Sequence, residues 1–276
     1  MIPAPPDPSL PIGVFDSGAG GLTVAAVLRR RLPGEALLYL GDMARLPYGT
    51  KSPQTVVRYA CQAARFLLEQ RIKLLVVACN TASAHALPAL ADLCGPIPVV
   101  GVIEAGARAA AGAGDRIVVI ATEGTCGSGA FPRAIAAHRP AANVTQVPCP
   151  LFVALAEEDM TEGPIAESVA QSYLGGLFGD GRDNDALLLG CTHFPLLLPT
   201  LRKIVGPEPA LIDCGEAVAD EVAILLERTG LAARRGAGEP APITLTATDT
   251  AERMTRLAAR LLPELGREPP VAIVDL

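Results

Sequence analysis

The segment Leu187-Leu188-Leu189-Gly190-Cys191-Thr192-His193 carries the pattern from which we predict the fold. Its three consecutive leucines, ended by a glycine, are typical of a β-strand that is buried on both faces, as in a parallel sheet. A thiol, a hydroxyl and an imidazole follow the strand, and an apolar helical pattern begins at Phe194. Ligands of open α/β sheets bind at the carboxyl ends of the strands, so we predict a binding site at this segment.

An earlier segment repeats this arrangement. Residues 74–81 read Leu-Leu-Val-Val-Ala-Cys-Asn-Thr, so Cys79 also ends a buried strand and precedes polar residues that open a helix. The N–H groups of a helix N-terminus favour a thiolate, and we expect them to lower the pKa of a thiol placed there. Chance burial or helix capping accounts for one such site, because free cysteines are commonly buried and Asn and Thr are good caps. It does not account for equivalent cysteines in both halves of the chain.

Strand and helix patterns alternate along the whole chain, with a Gly/Pro/Arg-rich loop at 230–242. Such alternation predicts parallel sheets built from βαβ units. A helix is expected to begin near Ser128, and a long helix is expected over 161–178. The predicted strands are residues 11–16, 37–42, 74–78, 98–102, 116–122, 143–147, 186–189, 210–213, 243–247 and 271–275.

The two halves of the chain resemble each other in the spacing of their strand-end residues. Asp16 and Cys79 in the first half are separated by nearly as many residues as Thr122 and Cys191 in the second. We therefore predict two similar parallel-sheet α/β domains related by pseudo-twofold symmetry, with the active site between them. The first domain would comprise 1–103 plus 214–276, with 1–10 as a disordered tail, and the second 104–213. A single sheet of nine or ten strands is the alternative.

Composition excludes several classes of function. The net charge of −6 disfavours direct nucleic-acid binding and an anionic membrane surface. No apolar run reaches the roughly 20 residues of a membrane helix, and the N-terminus lacks the features of a signal peptide. Seven cysteines without a Cys-x-x-Cys pair, together with three scattered histidines, predict neither a disulfide framework nor a metal site. The Gly-rich stretch 18–23 lacks a full dinucleotide fingerprint. We expect a cytoplasmic protein without a cofactor.

Two thiols that approach one carbon from opposite sides predict a particular reaction. One thiolate removes a proton while the other thiol delivers a proton to the opposite face, which inverts a stereocentre in either direction. A carbanion next to a carboxylate needs hydrogen-bond donors where its charge builds up. Backbone N–H groups at the two helix starts, with Asn80, Thr81 and Thr192, are suited to that task. His193 lies close enough in sequence to Cys191 to serve as its proton partner near neutral pH.

Four segments carry a family resemblance. They are residues 14–24 (Val-Phe-Asp-Ser-Gly-Ala-Gly-Gly-Leu-Thr-Val), 47–49 (Pro-Tyr-Gly), 78–83 (Ala-Cys-Asn-Thr-Ala-Ser) and 190–197 (Gly-Cys-Thr-His-Phe-Pro-Leu-Leu). Together they resemble the glutamate racemases, and the similarity extends in order from about residue 11 to the C-terminus. The resemblance implies cofactor-independent interconversion of L- and D-glutamate, an isomerase activity that supplies D-glutamate for peptidoglycan, cell-wall biogenesis and cell shape. It also implies a homodimer.

The resemblance further implies roles for individual residues. Cys79 and Cys191 correspond to the two acid–base residues, Cys79 acting on D-glutamate and Cys191 on L-glutamate. Asp16 would assist Cys79, and His193 would assist Cys191. Glu157 corresponds to the carboxylate that orients His193. The implied substrate contacts are Asp16, Ser17, Pro47, Tyr48, Gly49, Asn80, Thr81, Thr122, Thr125, Thr192 and His193.

Other interpretations remain open at this stage. An aspartate or hydantoin racemase would use the same pair of cysteines. A non-catalytic regulatory protein that acts on a DNA-topology enzyme would be compatible with the acidic composition, since protein contact does not need a basic surface. A thiol-redox role lacks the Cys-x-x-Cys motif that would support it.

Overall fold

The computed structural model describes residues 6–179, 184–233 and 240–276. The strands in chain order are β1 (Ile12–Asp16), β2 (Leu37–Gly41), β3 (Leu74–Val77), β4 (Val99–Gly101), β5 (Arg116–Ala121), β6 (Asn143–Pro148), β7 (Ala186–Gly190), β8 (Ala210–Asp213), β9 (Ile243–Ala247) and β10 (Val271–Ile273). The α-helices are α1 (Leu22–Arg31), α2 (Pro53–Glu69), α3 (Asn80–Cys94), α4 (Val102–Ala113), α5 (Glu123–Ser128), α6 (Ala130–His138), α7 (Pro150–Glu157), α8 (Pro164–Leu174), α9 (Leu198–Val205), α10 (Cys214–Thr229) and α11 (Glu252–Leu261).

The strands form two parallel sheets. The first has the order β10-β9-β2-β1-β3-β4 and the second the order β6-β5-β7-β8. The order β2-β1-β3-β4 is the same as β6-β5-β7-β8, which confirms the prediction of two similar parallel sheets. Within the described residues the alternative of one large sheet is wrong, because no strand of β6-β5-β7-β8 pairs with a strand of the other sheet.

Apolar side chains cover both faces of each sheet, which explains why the strands are continuous hydrophobic runs. Alternate residues of a strand face opposite sides, so Val14 and Val76 pack in a central cluster while Phe15 and Val77 pack in an outer one. The central cluster contains residues of both sheets and of α1, α4 and α10. Helices α2 and α3 cover the outer face of the first sheet, and α7, α8 and α9 cover that of the second.

The last part of the chain returns to the first sheet. Strand β9 pairs with β2, and β10 pairs with β9. On this basis we propose the division into one domain of 1–103 plus 214–276 and another of 104–213. No helix in the described residues is long and apolar enough to cross a membrane.

Several element boundaries differ from the sequence prediction. The helix predicted over 161–178 is shorter, since α8 ends at Leu174 before two consecutive glycines, which are poor helix formers. The helix predicted to begin near Ser128 begins earlier, at Glu123. Thr122 directly follows β5 and is the N-cap residue of this helix, α5. Of the predicted loop at 230–242, residues 234–239 lie outside the described residues.

The predicted disordered tail spans residues 1–10, of which residues 6–10 are described. Residues 1–5 lie outside the described residues. Residues 7–10 form a turn, in which the Leu10 N–H donates to the Asp7 carbonyl. The Pro8 carbonyl accepts a hydrogen bond from Lys73 Nζ at 2.7 Å. This turn is therefore held against the first sheet.

Candidate active site

Cys79 lies between β3 and α3, at the carboxyl end of the first sheet. It is the N-cap residue of α3, and its Sγ accepts a hydrogen bond from the Ala82 N–H at 3.4 Å. Its S–H donates to Ser17 Oγ, also at 3.4 Å. The expectation of a lowered pKa is wrong here: burial, followed by the nearby Asp16 carboxylate, raises the pKa of Cys79 to about 12 and outweighs both hydrogen bonds. At neutral pH Cys79 is a thiol that can donate a proton.

Cys191 directly follows β7, at the carboxyl end of the second sheet. The helix predicted to open here begins later, because a 3₁₀ segment starts at Phe194 and α9 starts only at Leu198. The polar partner of the sulfur is instead the imidazole of His193, whose Nδ1 lies 3.7 Å from Sγ. The two cysteines thus share a position at a strand end but have different surroundings.

His193 is held between Cys191 and Glu157. Its Nε2 lies 2.5 Å from Glu157 Oε1, and both side chains are more than nine-tenths buried. Burial lowers the pKa of His193, but interactions with Cys191 and Glu157 outweigh burial and raise this pKa to about 10. Burial likewise disfavours the charge of Glu157, yet its pKa is lowered below the usual value by His193 and Arg253. The imidazole is therefore protonated at neutral pH and lies between a carboxylate and a sulfur.

Asp16, the last residue of β1, is fully buried at the Gly-rich turn. Its Oδ2 accepts hydrogen bonds from the N–H groups of Gly18 at 3.1 Å and Gly21 at 3.0 Å. Its Oδ1 accepts one from the Thr192 hydroxyl at 3.4 Å. Burial raises the pKa of Asp16, and the charge of His193 with the backbone N–H groups acts in the opposite direction. This carboxylate therefore connects the first turn to the loop that carries Cys191.

The Gly-rich turn itself approaches that loop closely. A Cβ atom at Gly20 would lie 2.6 Å from His193 Nδ1 and 2.7 Å from Thr192 Oγ1. Thr23 Oγ1 donates to the Thr192 carbonyl at 3.0 Å. The absence of a side chain at Gly20 thus allows the two strand ends to meet.

The loop that carries Tyr48 and Gly49 is held by Asp42, a residue that the sequence analysis did not identify. The Tyr48 hydroxyl donates to Asp42 Oδ2 at 2.5 Å, and Arg45 Nε donates to the same oxygen at 2.6 Å. The Thr248 hydroxyl donates to Asp42 Oδ1 at 2.9 Å. Asp42 is fully buried, so the loop is fixed by a charge-assisted network.

Three hydroxyl groups join the two halves across the cleft. Thr81 Oγ1, at the start of α3, lies 3.0 Å from both Thr122 Oγ1 and Thr125 Oγ1 of the second half. The latter two oxygens are also 3.0 Å apart. Asn80 Oδ1 is buried and, among the described residues, has no hydrogen-bond partner. An unpaired buried acceptor is costly, so this oxygen is suited to receive a donor from a bound molecule.

These residues enclose a cleft of about 20 Å³, room for roughly one water molecule. Cys79 and Cys191 both line it, one from each sheet. Asp16 and Thr125 do not line the cleft, so their predicted substrate contacts stay predictions. Glu157 does not line it either and contacts His193. Val153 lines the cleft and was not predicted. The full lining is Ser17, Pro47, Tyr48, Gly49, Cys79, Asn80, Thr81, Thr122, Val153, Cys191, Thr192 and His193.

This arrangement is suited to acid–base chemistry on a small molecule held between two thiols. One thiol is protonated and lies near a carboxylate, and the other lies 3.7 Å from a protonated imidazole. In the part of the chain that the structure describes, no group of three or more His, Cys, Asp and Glu side chains is placed to hold a metal ion.

The comparisons with known sequences all point to the same protein family. The model of the Asp/Glu/hydantoin racemase family matches residues 22–222. The chain is 52% identical over 217 residues to the glutamate racemase of Geobacter metallireducens, which covers 78% of this chain and 79% of that protein. It is 48% identical over 233 residues to the glutamate racemase of Thermus thermophilus, with 84% and 86% covered.

Solved structures agree with the sequence relatives. Glutamate racemase from Francisella tularensis in complex with D-glutamate matches with a TM-score of 0.87 at 35% identity, over 97% of this chain and 98% of that one. The Thermus thermophilus enzyme in complex with β-chloro-D-alanine matches with a TM-score of 0.85 at 44% identity, over 98% of both chains. Aspartate racemase from Picrophilus torridus matches with a TM-score of 0.58 at 17% identity, over 80% of this chain and 94% of that one, which shows a shared fold.

Proposed function

Because the chain belongs to the Asp/Glu/hydantoin racemase family, we propose that it racemises glutamate with Cys79 and Cys191 as its two acid–base residues. It is an amino-acid racemase and thus an isomerase. The observation that carries the catalytic assignment is that one buried thiol from each sheet lines the same cleft. The relatives named above are glutamate racemases, and one of them was solved with D-glutamate.

The surroundings of the two thiols support a direction for each proton. In the L-to-D direction, the Cys191 thiolate takes the Cα proton, and the C–H electron pair stays on the substrate, delocalised into its α-carboxylate. The Cys79 S–H then delivers its proton to the opposite face of Cα, which leaves a Cys79 thiolate and a Cys191 thiol. The D-to-L direction reverses these transfers. Protonated His193 stabilises the negative sulfur of Cys191, while the Ala82 N–H does so for Cys79.

The polar lining of the cleft supports binding of an amino acid. The unpaired Oδ1 of Asn80 is an acceptor for the substrate ammonium group. The hydroxyls of Thr81, Thr122 and Thr192 can donate to its carboxylates, where charge develops during proton removal. Such donors are most effective in a site that excludes water, and the cleft must widen from its room for about one water molecule to admit the substrate.

The test is racemisation in heavy water with no cofactor added. We expect L-glutamate to give D-glutamate that carries deuterium at Cα, and Cys79→Ser and Cys191→Ser each to lose net racemisation while staying folded. Cys94→Ser is the matched control, because this thiol is equally buried but lies at the far end of α3. Near-full activity in both cleft variants would overturn the catalytic assignment.

The same assay separates the remaining alternatives. L-aspartate or a hydantoin would be the better substrate if the specificity were that of another branch of the family. A regulatory protein acting on a DNA-topology enzyme would not turn over glutamate. The glutamate assignment is favoured because the sequence relatives at 48 to 52% identity are glutamate racemases, whereas the aspartate racemase shares only the fold.

The proposal extends to the cellular role and the assembly. D-glutamate made by this enzyme would enter peptidoglycan synthesis in the cytoplasm, and the enzyme would act as a homodimer. Sedimentation equilibrium of the purified chain distinguishes a dimer from a monomer directly.

A further inference from the structure

Arg253 is connected to Cys191 through two intervening side chains. Its Nη1 donates to Glu157 Oε2 at 3.0 Å, and its Nη2 donates to Glu158 Oε1 at 2.8 Å. The other oxygen of Glu157 contacts His193 Nε2, and His193 Nδ1 contacts the sulfur. The four side chains therefore form one continuous polar chain from the surface to the cleft.

This chain joins parts of the fold that belong to different sheets. Arg253 lies on α11, which follows β9 of the first sheet, whereas Glu157 ends α7, which follows β6 of the second. Arg260 adds a parallel link on the same helix, since its Nη1 lies 2.9 Å from Asp159 Oδ1. These groups line a cavity of about 220 Å³, and His193 also lies on its wall.

We propose that Arg253 is a positioning residue for the Cys191 half of the reaction, which holds Glu157 so that Glu157 orients His193 against the sulfur. The proposal rests on the proposed function and assigns a role to a residue remote from the substrate. The Glu157 side chain is only 9% exposed, so its charge needs partners, and Arg253 is its partner on the side away from His193. The two-pronged guanidinium binds both glutamates at once, which a lysine cannot reproduce.

Kinetic isotope effects can distinguish proton transfer at the Cys191 sulfur from proton transfer at the Cys79 sulfur. The two enantiomers are equally stable, so kcat/KM must stay equal in both directions in any variant. The kinetic isotope effects measured with L-glutamate and with D-glutamate, in contrast, need not be equal. If Arg253→Gln slows transfer at Cys191, the effect of deuterium at Cα should grow for L-glutamate, from which Cys191 removes the proton. It should shrink for D-glutamate, because donation by Cys191 then limits the rate.

We therefore compare Arg253→Gln, Arg253→Lys and Arg260→Gln with the unchanged protein. We expect kcat of Arg253→Gln to fall on the order of 10-fold, since loss of orientation costs rate steeply. Arg253→Lys should recover part of that loss. Arg260→Gln is the matched control, because it removes the same charge from the same helix and breaks an ion pair that does not touch Glu157.

A second readout does not need turnover. The chain has three histidines, so the imidazole of His193 can be followed by NMR across the acidic pH range. Arg253 helps to lower the pKa of Glu157, so in Arg253→Gln the inflection that reports this carboxyl should move to higher pH. The charged and titratable groups around Glu157 and His193 are Asp16, Tyr39, Glu158, Asp159, Cys191, Arg253, Arg256 and Arg260.

The outcomes separate this inference from the proposed function. If the unchanged protein does not racemise glutamate, the proposed function fails, and the NMR titration alone decides whether Arg253 governs Glu157. If it does racemise glutamate but Arg253→Gln behaves like Arg260→Gln, the positioning role is wrong. Equal changes of the isotope effect in both directions, or an unmoved inflection, would also overturn it.

Discussion

Substitution of Gly49 by Ala tests whether the closed approach of the two halves is needed for activity. A Cβ atom at this position would lie 2.5 Å from Thr122 Cβ and 2.8 Å from both Thr122 Cγ2 and Oγ1. Carbon atoms in contact are normally about 3.5–4.0 Å apart, so the loops must separate by about 1 Å. Thr122 cannot rotate away freely, because its Oγ1 caps α5 by accepting the Thr125 N–H.

A displacement of this size at the active site is expected to lower kcat/KM by on the order of 100-fold. Overpacking should lower the free energy of unfolding by only about 1–3 kcal/mol, because two loops can move apart more easily than a core. The assay follows racemisation of L-glutamate by circular dichroism, and the melting temperature is measured on the same samples. Gly34→Ala is the matched control, since a Cβ there meets no atom within 4 Å. The reasoning is refuted if Gly49→Ala has the kcat/KM of the control, and a folded but slow variant supports it.

Two further predictions concern stability. The pKa of His193 is raised from 6.5 to about 10 in the folded state, so its contribution to the free energy of unfolding is complete below pH 6.5 and is lost as the pH rises through 10. Urea unfolding should show a fall in stability over this range, and His193→Gln should reduce that fall, whereas an identical pH dependence would contradict the charge assignment. Lys73→Met should cost about 3–5 kcal/mol, because it leaves the buried Glu35 carboxylate without its partner at 2.5 Å. Urea unfolding of the double variant with Glu35→Gln should show recovery of most of this loss, and no recovery would argue against a charge effect.

Local patterns in the sequence predicted most of the fold. The runs at β1, β3 and β7 are hydrophobic throughout because both faces of each sheet are covered, and such runs can be recognised without knowledge of the partner strands. The two strand-end cysteines follow from the same pattern. The spacing of the two halves predicted two sheets, but a single sheet remained the alternative, because strand pairing depends on contacts between distant segments.

The part of the site that the sequence did not reveal depends on such distant contacts. Arg253 lies 96 residues from Glu157 in the sequence and belongs to no short motif. Asp42 belongs to no recognisable sequence motif. Its carboxylate nevertheless fixes the loop of Tyr48 by accepting a hydrogen bond from the Tyr48 hydroxyl. The pKa of Cys79 was predicted in the wrong direction because the helix start is visible in the sequence, whereas burial and the Asp16 carboxylate arise only in the folded chain.

The same folded environment makes two identical side chains chemically different. Burial and, after it, the Asp16 carboxylate favour the protonated form of Cys79, and they outweigh its hydrogen bond with Ser17. Cys191 lies 3.7 Å from Nδ1 of the protonated imidazole of His193. Neighbouring groups that push two acid–base residues toward opposite protonation states define which is the acid and which the base. In the function proposed above, Cys191 takes the proton of L-glutamate and Cys79 delivers one, so the protons must exchange places before the next L-to-D turnover. In the role proposed for it, Arg253 acts through Glu157 and His193 on the Cys191 half of this pair alone.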